Sequence, residues 1–205
     1  AVIAEAFLIP LLPLAAHVAL GNGCAALLLR LWIDRNFHLC RMPYDAPALL
    51  FLVIGFLSVF IAPDISFSLY NFSHLVPIYF STYLLVGQTV RTPRELQRVV
   101  SAMALSAGIV ILYGFYQFIF GIDIAAMKWV DGEAFPELSK RVFSTWENPN
   151  ILAGYLDIVA CIAVGVATAL TRGWRTLAIL LLVAALVCLG MTYARGACLV
   201  IAIVL

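Results

Sequence analysis

The chain is a series of long apolar runs separated by short polar connections. The clearest charge-free runs extend from Val99 to Ile122 and from Thr176 to Ala194, and further apolar runs cover residues 46–63, 65–90 and 148–171. Helices of this length cross about 30 Å of hydrocarbon at about 1.5 Å per residue. The runs lack the apolar-polar alternation of a transmembrane barrel. The pattern therefore predicts membrane-spanning helices.

The first residues predict two crossings rather than one straight helix. Pro10 and Pro13 interrupt the apolar run, and proline breaks a helix because it lacks an N–H donor. We expect residues 1–12 to form part of one crossing, followed by a turn at Pro13 and a second crossing that ends near Leu31. A signal peptide is disfavoured because the start carries no basic residue. Since the chain lacks an initiator Met and stops inside the apolar run 197–205, we expect a fragment of a longer protein.

Composition agrees with a membrane protein. Hydrophobic residues make up 64% of the 205 residues and charged residues 11%, whereas a soluble domain carries about 25% charged residues. The formal net charge of +1 provides no field that would attract nucleic acid. We therefore predict an all-α protein, a single polytopic transmembrane helix bundle over residues 1–205 with about six to seven spans.

Basic residues are concentrated in alternate connections. These are Arg30, Arg35, Arg41, Arg91, Arg94, Arg98, Arg172 and Arg175. Because Lys and Arg collect in cytoplasmic loops, we expect this set in the cytoplasm and a multi-pass protein in the cell inner membrane. The opposite set contains a 27-residue stretch from Gly121 to Glu147, a predicted outer loop. Its Trp129, Phe135 and Trp146 fit interfacial anchors or a substrate-facing role.

Metal-ligand patterns do not stand out. The five cysteines include no pair at metal-like spacing, and His17, His38 and His74 are separated by 21 and 36 residues. We expect no metal and no cofactor.

The Glu147-Asn148-Pro149-Asn150 segment has the pattern of a helix start. Asn148 can cap the helix and Pro149 can be its first residue. Capping alone explains the motif. Because the free N–H groups of a helix N-terminus also attract phosphate or diphosphate, Asn148 and Asn150 are candidate substrate-binding residues as well.

Two arginines fall where the cytoplasmic charge bias does not place them. Arg195 lies between two apolar runs, directly after Tyr193 and Ala194, and Arg141 lies six residues before Glu147. A charge at a membrane boundary either reaches the interface along its flexible stem or serves a function. Two guanidinium groups on one face would form a diphosphate clamp, because each binds phosphate oxygens two at a time.

Two further polar residues lie inside or beside predicted spans. Asp157 is the only carboxylate well inside a span, about 13 Å deeper than Asn148; it either pairs with an arginine or lines a wet cavity. Gln117, near the outer end of its span, either binds a sugar hydroxyl or joins two helices.

Three segments together resemble the O-antigen ligase and polysaccharide polymerase family of bacterial membrane proteins. They are Arg141 to Leu156, with the sequence RVFSTWENPNILAGYL; Thr192 to Ala197, TYARGA; and Tyr113-Gly114 with Gln117 and Gly121. Their order and spacing are similar to those of the family, and the likeness covers its N-terminal half, with residues 141–205 as the start of its core.

The resemblance implies a glycosyltransferase that uses a lipid carrier. Such an enzyme takes a glycan from undecaprenyl diphosphate at the outer face of the cytoplasmic membrane and transfers it to a sugar hydroxyl of an acceptor glycan or lipid. By resemblance, Arg141 and Arg195 hold the carrier diphosphate and stabilise it as the leaving group, without a metal. Asn148, Asn150, Tyr193, Gln117 and Asp157 are the candidate substrate-binding residues.

The sequence departs from the family at two points. Ala194 replaces the usual Ser, and the family's candidate general base is a His in a later outer loop that His17, His38 and His74 do not match. The family also includes members named as putative inorganic-carbon transporters. The rival hypothesis is therefore a small-anion transporter, bicarbonate-like in substrate, with Asp157 and Arg195 along its pathway. A membrane scaffold is a third.

Overall fold

A computed structural model describes residues 1–121 and 141–204, except for the side chain of Arg172. All of the secondary structure in these ranges is helical, which confirms the all-α prediction. The helices are α1 (Val2–Leu8), α2 (Pro13–Ile33), α3 (Asp45–Val59), α4 (Ile65–Thr89), α5 (Pro93–Phe120), α6 (Pro149–Ala169), α7 (Arg172–Met191) and α8 (Arg195–Val204), and a 3₁₀ turn spans Ser144–Trp146. Most of the predicted outer loop, including Trp129 and Phe135, lies outside the described residues.

Among the described residues, four helices are long and apolar enough to cross a membrane. They are α2, α5, α6 and the Gly173–Met191 part of α7. The shorter apolar helices are α3 and α8. The 25-residue α4 is less apolar than expected, because it carries Asn71, His74 and several Ser and Thr residues. The protein is thus of the membrane type, whereas six to seven spans and an outer loop stay predictions.

The two prolines near the start act as predicted. α1 ends at Leu8, and α2 begins at Pro13, which occupies the first turn where a missing N–H costs nothing. α1 folds back against α2, so residues 1–33 form two helices joined by a turn. The predicted break between two segments is confirmed, whereas a membrane crossing that includes residues 1–12 stays a prediction.

α5 begins six residues before the predicted apolar run, because its first turn is capped by polar groups. The Glu95 N–H donates to Thr92 Oγ1 over 3.2 Å, and Glu95 Oε2 accepts the Thr92 N–H over 2.9 Å. This reciprocal capping box satisfies two N–H groups that a helix start otherwise leaves free. Hydrophobicity alone does not reveal such a polar first turn.

The chain divides into two compact units, Ala1–Val99 and Val100–Leu205. The single bundle stays a prediction. In the first unit α1 packs against α2 and α4, around a core of Val2, Leu20 and Leu85.

A polar contact at one end of the first unit holds the connection between α2 and α3. The Cys40 N–H donates to Gln88 Oε1 over 2.9 Å, and Gln88 Nε2 donates to the Cys40 carbonyl over 2.8 Å. Tyr83 donates its hydroxyl to Asp45 Oδ1 over 3.0 Å, and Arg91 Nη2 donates to Gln88 Oε1. The Arg-containing connection after α2 and the start of α5 therefore lie at the same end of this unit.

In the second unit α6 and α7 pack against each other more extensively than the other described helix pairs. Both carry small buried residues, Ala153, Ala160 and Ala163 on α6 and Ala178 and Ala185 on α7. Small side chains let helices approach closely inside a membrane. α8 packs against both helices, so the starts of α6 and α8 lie at one end of the unit.

Candidate functional site

Four parts of the second unit meet at the end where α6 and α8 begin. They are the end of α5, the segment of residues 141–148, the start of α6 and the turn between α7 and α8. Hydrogen bonds from Arg141, Gln117 and Ser144 hold these parts together. Most residues singled out in the sequence belong to this site.

The Arg141 side chain bridges two of these parts. Its Nε donates to the Thr192 carbonyl oxygen over 2.7 Å, and its Nη2 donates to Asn150 Oδ1 over 2.8 Å. The guanidinium thereby joins the start of α6 to the α7–α8 turn. Partial burial lowers the pKa of Arg141, although a guanidinium stays charged in proteins. A cation is therefore held at the junction.

Gln117 holds the segment that carries Arg141. Its Oε1 accepts the Ser144 N–H over 2.7 Å and the Phe143 N–H over 3.3 Å, and its Nε2 lies 3.4 Å from the Ser144 carbonyl oxygen, to which it donates. The Gln117 side chain is 6% exposed. Its amide is thus engaged by backbone groups of the 141–148 segment. A bond from Gln117 to a sugar hydroxyl stays a prediction.

The same segment is fixed from two other sides. Ser144 donates its hydroxyl to the Val110 carbonyl of α5 over 2.7 Å, and the Val142 N–H donates to the Met191 carbonyl at the end of α7 over 3.2 Å. Val142 is fully buried. The backbone on the C-terminal side of Arg141 is therefore attached to both α5 and α7.

Gly114 allows this close approach. A Cβ at Gly114 would lie 2.9 Å from Cys188 Sγ and 3.3 Å from Val142 Cγ1. Both distances are shorter than ordinary van der Waals contact. α5 can therefore approach α7 and the 141–148 segment only where it has no side chain.

The start of α6 has the predicted cap. Asn148 is the N-cap and its Oδ1 accepts the Asn150 N–H over 2.8 Å, while Pro149 is the first helical residue. Glu147 adopts a left-handed conformation with a φ of 55°, which turns the chain into the helix. The capping role of Asn148 is confirmed; phosphate binding by Asn148 or Asn150 stays a prediction.

The turn between α7 and α8 presents Arg195. Thr192 is fully buried and Tyr193, with a φ of 52°, is exposed. Arg195 is the first residue of α8 and its side chain is exposed, with no hydrogen-bond or ion-pair partner among the described residues. Because the Thr192 carbonyl that holds Arg141 is three residues before Arg195, both arginines belong to the surroundings of one turn.

Asp157 lies deeper in α6 than this cluster. Its Oδ1 is buried and has no hydrogen-bond partner among the described residues. No described contact joins Asp157 to Arg141 or Arg195. The structure therefore brings together Arg141, Asn148, Asn150, Gln117, Tyr193 and Arg195, and leaves Asp157 apart.

Sequence reasoning missed Thr192 and Ser144. Both hydroxyls are buried and bind backbone carbonyls of α7 and α5. For Thr192 a signal was present, because a Thr at the end of an apolar run and before polar residues is typical of a turn that its own hydroxyl stabilises. For Ser144 no local signal exists, since its partner Val110 is 34 residues away.

Within the described ranges, no three His, Cys, Asp or Glu side chains are grouped closely enough to hold a metal ion. No family model, curated protein or solved structure matches the chain.

We expect Gly114→Ala to destabilise the second unit by about 1–3 kcal/mol, because the new methyl group would overpack against Cys188 and Val142. Gly108→Ala on the same helix is the matched control, since a Cβ there meets nothing within 4 Å. Thermal unfolding in detergent should show a lower midpoint for Gly114→Ala only. Equal midpoints for the two variants would contradict the close approach at Gly114.

We expect Gln117→Met to cost about 1–3 kcal/mol of unfolding free energy, because the buried N–H of Ser144 loses its acceptor. Hydrogen exchange of the peptide containing residues 142–146 should accelerate in this variant. The neighbouring Tyr116 is exposed, so Tyr116→Phe is the control and should leave the exchange rate unchanged. Unchanged exchange in Gln117→Met would show that the amide does not hold the segment.

Proposed function

We propose that the protein is a membrane glycosyltransferase that uses an undecaprenyl-diphosphate-linked glycan as donor. The glycan is transferred to a sugar hydroxyl of an acceptor glycan or lipid. The observation that carries the proposal is the Arg141 side chain, which bonds the turn leading to Arg195 and the Asn150 amide at once. This arrangement supports two cationic groups beside one another at one end of a helical membrane unit.

The chemistry of a diphosphate leaving group suits these residues. Nη1 of Arg141 makes no hydrogen bond to described residues, and the exposed Arg195 has no hydrogen-bond partner among them either. Planar guanidinium groups bind phosphate oxygens in pairs. In this proposal the two arginines hold the diphosphate and stabilise the negative charge that develops as the glycosidic bond breaks.

The helix starts at the site favour the same ligand. α6 begins at Pro149 and α8 at Arg195, and both helix N-termini carry a partial positive charge of about half an elementary unit. Asn148, Asn150 and Tyr193 lie at these two starts and are the proposed contacts of the diphosphate and its first sugar. Because its amide is engaged by the backbone, Gln117 acts in this proposal by holding the segment in place.

We propose that the site faces the outer side of a bacterial cytoplasmic membrane. Arg94 and Arg98 lie near the start of α5, whereas Gln117 lies near the end of this 28-residue helix. If α5 crosses the membrane, the arginine-rich side is cytoplasmic by the positive-inside rule and the site is on the other side. A carrier lipid that presents its glycan at the outer leaflet would reach it there. Six spans follow if α3 and α4 cross the membrane in addition to the four long helices, and a seventh follows if α1 or α8 belongs to a further crossing.

A small-anion transporter is the second candidate, and Asp157 favours it. Its buried Oδ1 has no partner among the described residues, and a carboxylate of this kind inside a membrane helix is expected in a wet pathway or beside a transported ion. Arg141 and Arg195 favour the glycosyltransferase, because they lie at the starts of two helices and not along the length of these helices.

We expect Arg195→Lys in the full-length protein to lower glycan transfer by about 100-fold or more, because Lys lacks the planar fork and offers a single point charge. The exposed position of Arg195 means that the substitution leaves the fold intact. Transfer from a lipid-linked donor should be measured in membranes, with insertion checked by protein level. Arg175→Lys, near the start of α7, is the control and should retain transfer. Normal product from Arg195→Lys would exclude the proposed role.

Reconstituted vesicles distinguish the two candidates. The glycosyltransferase proposal predicts that bicarbonate flux into vesicles containing the full-length protein equals the flux into empty vesicles. The transporter hypothesis predicts flux that stops in Asp157→Asn, because the variant lacks the titratable carboxylate. Flux above the empty-vesicle level that depends on Asp157 would favour the transporter.

A further inference from the structure

We propose that Thr192 is a positioning residue for both arginines of the site. Its buried hydroxyl fixes the α7–α8 turn, its carbonyl holds Arg141, and the turn it fixes places Arg195 at the start of α8. The consequence for glycan transfer rests on the proposed function; the positioning itself concerns only the protein.

The Thr192 hydroxyl links the end of one helix to the start of the next. Oγ1 donates to the Leu189 carbonyl over 2.7 Å and accepts the Ala194 N–H over 3.2 Å. The Ala194 carbonyl in turn accepts the Cys198 N–H over 3.1 Å, in the first turn of α8. Thr192 is 0% exposed, so water cannot replace these bonds. One hydroxyl therefore sets the direction in which α8 leaves α7.

The backbone between the two helices needs this support. Tyr193 has a φ of 52°, a left-handed conformation that costs a residue with a side chain about 1–3 kcal/mol. The Thr192 hydroxyl binds Leu189 before Tyr193 and Ala194 after it. These two bonds hold the strained residue from both sides, which keeps the turn in one conformation.

The same turn supplies the acceptors for the 141–148 segment. The last carbonyls of a helix have no partner within the helix. At the end of α7, the Met191 carbonyl accepts the Val142 N–H and the Thr192 carbonyl accepts Arg141 Nε. A change in the turn therefore moves the carbonyl that Arg141 binds, and it moves Arg195 as well.

Two substitutions of Thr192 distinguish the effect of its hydroxyl from the effect of its side-chain shape. Thr192→Val keeps the volume and removes both hydroxyl bonds, whereas Thr192→Ser keeps the hydroxyl. In full-length protein we expect Thr192→Val to lower kcat for glycan transfer by about tenfold to 100-fold with a smaller change in KM, because displaced groups stabilise the leaving group poorly. Thr192→Ser should restore kcat to within about threefold of the wild type, since the retained hydroxyl keeps the geometry.

A second measurement does not depend on activity. Phenylglyoxal modifies accessible arginines, and mass spectrometry gives the rate at each site. In the wild type the half-buried, hydrogen-bonded Arg141 should react more slowly than the exposed Arg195. In Thr192→Val the rate at Arg141 should rise by about tenfold, the effect of losing a hydrogen bond to a charged group. Thr192→Ser should leave it unchanged, and Arg94 and Arg98 are internal controls.

The outcomes distinguish the positioning role of Thr192 from the proposed function in glycan transfer. A selective rise at Arg141 in Thr192→Val, without glycan transfer by the wild type, would support the positioning role and remove the proposed function. An unchanged rate at Arg141 would overturn the positioning role, as would an equal rise in Thr192→Ser. A rise at every arginine in Thr192→Val would also overturn it, because the hydroxyl would then support only the fold.

Discussion

The hydrogen bonds of the Arg141 side chain determine how the candidate site is built. The guanidinium reaches the carbonyl of Thr192 and the amide oxygen of Asn150, so it ties the start of α6 to the turn before α8. A partly buried cation is tolerated because these oxygens replace water. The bridge makes Arg141 structural, and in the proposed function its Nη1, which the described residues do not use, also contacts the diphosphate.

Each unit contains a glutamine whose side-chain amide hydrogen-bonds to the backbone of a residue far away in the sequence. Gln88 binds the N–H and carbonyl of Cys40, and Gln117 binds the N–H and carbonyl of Ser144. Each pair ties an irregular segment to the side of a helix and satisfies backbone groups of that segment. Polar residues inside apolar helices are therefore needed here for packing, whatever chemistry the site performs.

Local signals predicted the helices, the break before Pro13 and the Asn148 cap, because each depends on neighbouring residues. The apolar pattern did not predict where α5 begins, because the Thr92–Glu95 capping box extends the helix by a polar turn. The partners of Gln117 and Ser144 lie 26 to 34 residues away, so only the fold reveals them. The same holds for Arg141 and Thr192, which are 51 residues apart.

A double-mutant cycle of Arg141→Lys and Arg195→Lys, measured as kcat/KM for glycan transfer in membranes, asks whether the two arginines serve one diphosphate. If both arginines bind the same group, their effects are coupled. The free-energy loss derived from kcat/KM of the double variant is then smaller than the sum of the two single losses by about 0.5–3 kcal/mol. Losses that add within about 0.5 kcal/mol would mean that the arginines act separately, and the shared diphosphate site would be wrong.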